Sequence, residues 1–199
     1  MTSRIHALIR RNRSCRRFQE HRLISEKTLK ALVDLARLSA SGANLQPLKF
    51  AISRDPATNA LIFPALAWAG YLKDWDGPAE GERPAAYILI LGDTEIRTKD
   101  FGHDAGIASQ SILLGAVERG MAGCMVGSIT RDELRARFSI PDRFHIELVI
   151  ELGYPAEKIK LETASPRGSI RYWRDARQVH HVPKRALSEI IYKLPRPGA

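Results

Sequence analysis

Two short segments hold the side chains best suited to chemistry. The first, Ser39-Ala40-Ser41-Gly42-Ala43-Asn44-Leu45-Gln46-Pro47, follows a stretch with one apolar face (Leu29, Leu32, Val33, Ala36) and precedes Phe50-Ala51-Ile52. Its small residues let backbone N–H and C=O groups approach a flat ligand closely, because no large side chain intervenes. Asn44 and Gln46 both donate and accept, which suits a ring edge with alternating acceptors and donors. An ordinary polar loop between a helix and a strand has the same composition, so the segment by itself leaves both readings open. The second segment, Arg10-Arg11-Asn12-Arg13-Ser14-Cys15-Arg16-Arg17-Phe18, is dense in guanidinium groups. Each is a planar fork that can hold two phosphate oxygens together. A basic patch on the surface of a basic protein is the plainer alternative.

Together the two segments resemble the FMN-dependent nitroreductase family. Arg13, Ser14, Arg16 and Phe18 match its N-terminal arginine pattern, and Ser41, Asn44, Gln46 and Pro47 match its flavin loop, with Ala40 just before and Gly42 between. Two positions depart from the pattern: Asn12 stands where the family usually has its first arginine, and Ala40 where it has a proline. The resemblance implies that Arg13, Ser14 and Arg16 hold the FMN phosphate, and that residues 40–46 lie along the isoalloxazine ring. It implies further that Lys184 or Arg185, before the terminal helix, reaches the same phosphate. The segment Gly123–Ser128 would pass beside the ring, with the backbone N–H of Val126 or Gly127 donating to it. The implied reaction is ping-pong: NADH or NADPH reduces FMN, then an electron-poor acceptor, nitroaromatic or quinone-like, takes its place. The implied fold is α+β, a mixed central sheet flanked by helices. The implied assembly is a homodimer with flavins at its interface and exchanged C-terminal arms, each arm covering about residues 154–199.

Elements able to position these residues follow from the pattern. A helix from about Ser3 has Ile5, Leu8 and Ile9 on one face. Ser25 is placed to cap the helix that leads into the loop. Phe50–Ser53 reads as a short strand. Thr58–Leu72 reads as helical but interrupted by Pro64, and Asp74–Pro84, rich in Gly and Pro, as a surface loop whose Trp75 covers either a ligand or the core. Ala85–Leu91 is a continuous apolar run and reads as a buried strand. Asp104–Arg119 is a helix with small or apolar residues on nearly every face, so it must be covered all round, and a subunit interface is a natural cover. Gly123–Gly127 and His145–Leu152 read as strands. Thr130 and Glu133 have capping-box spacing, and Tyr154–Val182 reads as a long polar arm before a short final helix.

Composition narrows the rest. A chain of 199 residues, 44% hydrophobic, can bury one substantial core, and a single domain over 1–199 is expected. Charges break up Met1–Arg13, so no signal-peptide core is present, and the longest apolar run is too short to span a bilayer as a helix. Two cysteines, Cys15 and Cys124, give no disulfide framework and fit a reducing, cytoplasmic setting. The net charge of +9, with basic residues clustered at 10–22, 167–177 and 184–196, admits nucleic acid, an anionic membrane or phosphorylated small molecules. No nucleic-acid reading element accompanies it, so small molecules are favoured over nucleic acid and membrane. Six histidines show no zinc-site spacing, so no metal is expected. A Gly-x-Gly-x-x-Gly dinucleotide fingerprint and a Gly-x-Ser-x-Gly elbow are absent. Cys15, among arginines, would have a lowered thiol pKa if exposed, although a small packing residue is the expected role. Two other functions stay open: a flavin- or nucleotide-binding regulator without turnover, and a basic nucleic-acid-associated protein.

Overall fold

The computed structural model describes residues 3–194. Arg196 of the last basic cluster and the end of the expected arm lie outside the described residues. The chain divides into two compact units, Met1–Ala156 and Glu157–Ala199.

The first unit is built on a four-stranded sheet of order β1-β2-β4-β3: β1 Leu48–Ser53, β2 Ala86–Asp93, β3 Ala122–Val126 and β4 Phe144–Gly153. All three ladders are antiparallel. The mixed character expected of this sheet is confined to an isolated parallel bridge from Ser14 to Gly123 at its edge. β2 is buried along its whole length, as its unbroken apolar run requires of a central strand covered on both faces.

Helices α2 (Glu26–Arg37) and α4 (Gly102–Glu118) cover one face of the sheet, burying Leu29, Leu32, Ala105, Ala108, Ile112 and Ala116 against Ile88, Ile90, Ile150 and Leu152. Ser25 caps α2 as expected, its hydroxyl accepting from Thr28 N–H at 3.1 Å. Small side chains let the helices close on each other: a Cβ on Gly115 would lie 2.3 Å from Leu35. The opposite face is covered by Ile62, Ala65, Leu66 and α5 (Arg131–Phe138), which buries Leu134.

Three local expectations are corrected. The helix read over Thr58–Leu72 is α3, Pro56–Ile62, started by Asp55 accepting from Thr58 N–H at 2.8 Å. A 3₁₀ turn holds Pro64, and the chain then extends through a bridge between Leu66 and Ile129. Thr130 precedes α5 but makes no capping bond; its hydroxyl is turned to a long-range partner, donating to Ala65 O at 3.2 Å. The polar arm after Tyr154 carries a sheet of its own in the second unit, of order β5-β7-β6: β5 Ile159–Thr163, β6 Trp173–Arg174 and β7 His180–Lys184. The final helix, α6, is one turn, Leu187–Ile190.

Gly123 tests how tightly the sheet edge is closed. A Cβ there would meet Glu151 O at 2.3 Å and Leu113 at 2.7 Å, contacts that include rigid backbone. Gly123→Ala is expected to destabilise the protein by about 1–3 kcal/mol, the usual cost of overpacking. Urea unfolding measures it; an unchanged midpoint would mean the edge opens freely.

Candidate active site along one helix

The arginine segment leaves α1 (Arg4–Arg11), whose N-cap Ser3 accepts from His6 N–H at 3.3 Å. It is pinned along the C-terminal half of α4. Arg4 pairs with Glu118, Arg11 donates to Val117 O at 3.3 Å, and Asn12 Nδ2 donates to Gln110 Oε1 at 3.2 Å. Asn12 is buried, and its side chain is tied to the scaffold through Gln110. Cys15 is fully buried and its N–H donates to Gly123 O at 3.1 Å, laying the segment against β3. That burial gives it the packing role.

The arginines have different fates. Arg17 forms a two-point ion pair with Glu82, at 2.6 and 2.7 Å, and is spent on structure. Arg13 donates through Nη2 to Ile9 O at 2.9 Å, while its Nε is buried without an acceptor. Burial lowers the pKa of its guanidinium, and Arg13 has no ion pair among the described residues. A buried donor without a partner is uncommon in a folded protein. Arg16 is half-buried and Ser14 exposed. Both act on the Cys124 thiol, which burial first and the Glu151 charge second push up to about 12, against Arg16 and a hydrogen bond with Ser14.

The loop 39–47 is pinned to α4 at Ser111 and Asp104. The Ser39 hydroxyl donates to Leu35 O at 2.8 Å and lies 2.7 Å from that of Ser111. Gly42 is held at both peptide groups. Its N–H donates to Asp104 Oδ1 at 3.1 Å, and its C=O accepts from Arg97 Nη2 at 3.2 Å. Arg97 Nη1 and Asp104 Oδ2 complete the ring at 2.5 Å. Asp104 is 4% exposed. Desolvation pushes its carboxyl up, but hydrogen bonds from Ser41, Arg97 and the Gly42 N–H outweigh this and hold it below the usual carboxylate range. A Cβ on Gly42 would sit 3.0 Å from the Arg97 guanidinium. The glycine thus permits a close approach of Arg97 to the loop backbone.

Beyond Gly42 the backbone is left-handed at three non-glycine residues, Ala43 (φ 51°), Asn44 (φ 54°) and Gln46 (φ 50°). For Ala and Gln this costs roughly 1–2 kcal/mol each. The Asn44 and Gln46 side chains also meet each other: Gln46 Nε2 donates to Asn44 O at 3.2 Å and to its Oδ1 at 3.3 Å. Ala40, Ser41 and Gln46 line a cleft of about 310 Å³ with Val33, Ala36, Phe50, Asp104 and Ala108. Arg13, Ser14 and Arg16 do not line this cleft, so the two halves of the candidate site meet α4 at different places. Val126 is buried at the end of β3, and Gly127 follows it, exposed, with its C=O accepting from Arg131 at 3.3 Å. Sequence reasoning missed Arg97, Gln110 and Ser111 and gave Asp104 no role. A carboxylate within an otherwise apolar helix was the available signal, since a buried charge needs a partner.

Lys184 closes β7 and Arg185 follows it, both exposed, in the second unit. β7 also carries the buried His181. Its Nδ1 is 2.8 Å from Glu162 Oε1 and its Nε2 is 3.3 Å from Asp175 Oδ2, with Trp173 stacked on the ring at 4.1 Å. Lys160 also reaches Glu162, at 2.9 Å. Ionised carboxylates only accept, so both ring nitrogens donate only when the imidazole is protonated. The Glu162 hydrogen bond raises the His181 pKa, desolvation opposes, and Asp175 adds to the rise.

Comparison with known proteins follows this geometry. The nitroreductase family model matches residues 9–154, which hold the arginine segment, the loop, α4 and β3. A Methanothermobacter thermautotrophicus protein, provisionally named NADH dehydrogenase/NAD(P)H nitroreductase, is 29% identical over 154 residues, covering 75% of this chain and 76% of its own. Among solved structures, a nitroreductase family protein of Streptococcus pneumoniae superposes with a TM-score of 0.70 at 18% identity, covering 96% of this chain and 100% of its own. An FMN-dependent nitroreductase of Clostridium difficile superposes at 0.61 with 20% identity, covering 76% of this chain and 87% of its own. At these identities the structural matches speak for the fold.

The His181 cluster yields a pH prediction. A folded pKa above the unfolded value near 6.5 contributes stability that is full below 6.5 and is lost as pH rises through the folded value. The stability gap between wild type and His181→Gln should therefore be widest near about pH 6 and narrow above the His181 midpoint. Thermal unfolding over a pH series, beside an NMR titration of the His181 ring, checks this. A gap that widens with pH would reverse the assignment.

Proposed function

The chain belongs to the nitroreductase family, a family of oxidoreductases, and from that premise we propose that it is a cytoplasmic FMN-dependent oxidoreductase that takes electrons from NADH or NADPH. The observation that carries the proposal is Arg13. Its half-buried guanidinium has an Nε without an acceptor and no carboxylate partner among the described residues. A flavin phosphate, with close to two negative charges and several acceptor oxygens, fits that need. Ser14, exposed beside it, adds a hydroxyl, and Arg16 a second cation. Lys184 and Arg185 are the further cations proposed for the phosphate.

FMN, when bound, supplies the two-electron relay between a nicotinamide and an acceptor. The chain's own residues bind and orient. Residues 40–46 offer a fixed backbone for the ring, and the Val126–Gly127 segment offers peptide N–H groups to its edge. Donors placed in advance favour negative charge developing there without having to reorganise. Donor and acceptor, nitroaromatic or quinone-like, use the same open face in turn, which gives ping-pong order. The names borne by the relatives, NAD(P)H nitroreductase and FMN-dependent nitroreductase, support the donor and the cofactor. The chain acts as a homodimer, because α4 leaves Gly106 and Ile107 exposed beside the small residues it buries, with Ile5 and Ile9 of α1 also exposed.

Wild type should bind FMN more tightly than riboflavin, and NADH or NADPH should bleach the bound flavin anaerobically. Arg13→Ala should weaken FMN binding by about 1.5–3 kcal/mol, the range for a charge-assisted hydrogen bond, and leave riboflavin binding nearly unchanged. Equal wild-type affinities for the two flavins would sink the phosphate assignment. Binding without bleaching would point to the regulator instead. Sedimentation at micromolar concentration should give a dimer; a stable monomer with flavin bound would overturn the assembly.

A further inference from the structure

We propose that Arg97 and Asp104 are positioning residues that hold the loop 39–47 in its strained form and thereby set the redox behaviour of a flavin ring lying along it. The proposal rests on the reading of that loop as the flavin loop. Neither residue belongs to the arginine or loop motif, and the two approach Gly42 from different elements. Asp104 sits in the first turn of α4, and Arg97 in the connection that leads from β2 to α4.

The arrangement is a closed ring of hydrogen bonds. Asp104 accepts from the Gly42 N–H and from Arg97, and Arg97 donates to the Gly42 C=O and to Asp104. Only a guanidinium spans the two acceptors with separate nitrogens, which a lysine ammonium cannot do in the same geometry. Arg97 is itself fixed, since its backbone N–H donates to Asp93 O at 3.1 Å and its Nη1 also donates to Asp100 O at 3.3 Å. Asp93 holds the far end of the loop as well, its N–H donating to Pro47 O at 2.8 Å. The loop is thus tied at Gly42 and at Pro47 to one connection, and its left-handed residues Ala43, Asn44 and Gln46 lie between the ties.

That placement explains how non-glycine residues persist in a disfavoured conformation. Strain of this kind survives only where the surroundings over-determine it. Remove one tie and the segment relaxes toward ordinary backbone, carrying its peptide groups away from their set positions. Groups aimed at a ring edge act on its charge only while they stay aimed. Arg97, which touches neither phosphate nor ring in this scheme, would act through Gly42.

The test uses the full-length protein with Arg97→Met, with Arg97→Lys as the charge-retaining variant, and with Arg97→Met/Asp104→Asn, which leaves no unpaired buried carboxylate if the single change folds poorly. Two measurements are made. In flavin-free protein, hydrogen exchange at residues 42–46 should accelerate by roughly tenfold in all three variants, the scale of losing one net hydrogen bond, while the central strand β2 keeps its protection. In flavin-loaded protein, the reduction potential should shift and FMN and riboflavin affinities should fall by the same factor, so the ratio between them stays at the wild-type value. Unchanged exchange in the loop and an unchanged potential would overturn the proposal. A fall in the FMN-to-riboflavin ratio would overturn it too, because Arg97 would then serve the phosphate. If wild type shows no preference for FMN while the loop still loosens in the variants, the phosphate reading has failed and the clamp stands as a loop-holding device alone.

Discussion

One constraint organises the first unit: α4 has almost no polar face and must be covered along its length. Burial of its small residues brings the sheet, α2, the arginine segment and the loop onto one cylinder. Several of the polar groups it carries are used as ties. Asp104 and Ser111 receive the loop, Gln110 receives Asn12, and the Val117 carbonyl and Glu118 receive α1. Because a buried polar group is costly unless bonded, the contacts of the buried Asp104 and Asn12 are fixed by desolvation as much as by attraction. Placement of the candidate site follows from how this helix is covered.

Much of this was legible in the residues, and the part that was not has a physical reason. Local signals worked: the Ser25 cap, the buried run of β2 and the all-round apolarity of α4 depend on near neighbours or on composition. The Thr130 capping box failed because the hydroxyl is turned to Ala65 O, far off in sequence, and accepts nothing from the first turn of α5. The sheet of β5 and β7 went unseen, although Ile159 and Leu161 alternate with Lys160 and Glu162, because its strands pair in parallel across a long connection. Among the arginines, composition could say that cations were concentrated but not which would be spent. Arg17 turns to Glu82 and Arg13 keeps an orphan donor, and both outcomes depend on what the folded chain brings near. The clamp on Gly42 was invisible for the same reason, since Arg97 belongs to no motif.

The cation inventory gains meaning from these assignments. Of the groups that give the chain its net charge of +9, several are neutralised within the fold, as Arg17 by Glu82, Arg97 by Asp104 and Arg174 by Glu157. Others, such as Arg131 and Arg135, donate to backbone carbonyls at the ends of strands and loops and act as staples. The number of cations, 31 lysines and arginines, therefore overstates how many are turned toward a ligand.

The N-terminal segment also bears on the order in which the molecule can assemble. Ser14 bridges to Gly123, Phe18 to Pro155, and the Ala156 N–H donates to Arg17 O. The segment thus finds its partners at Glu82, Gly123 and Pro155, all far along the sequence. Contacts of such sequence separation are closed late, because the entropy of closing the loop must be met before they contribute. The arginine segment is therefore among the last parts of the first unit to be fixed in place.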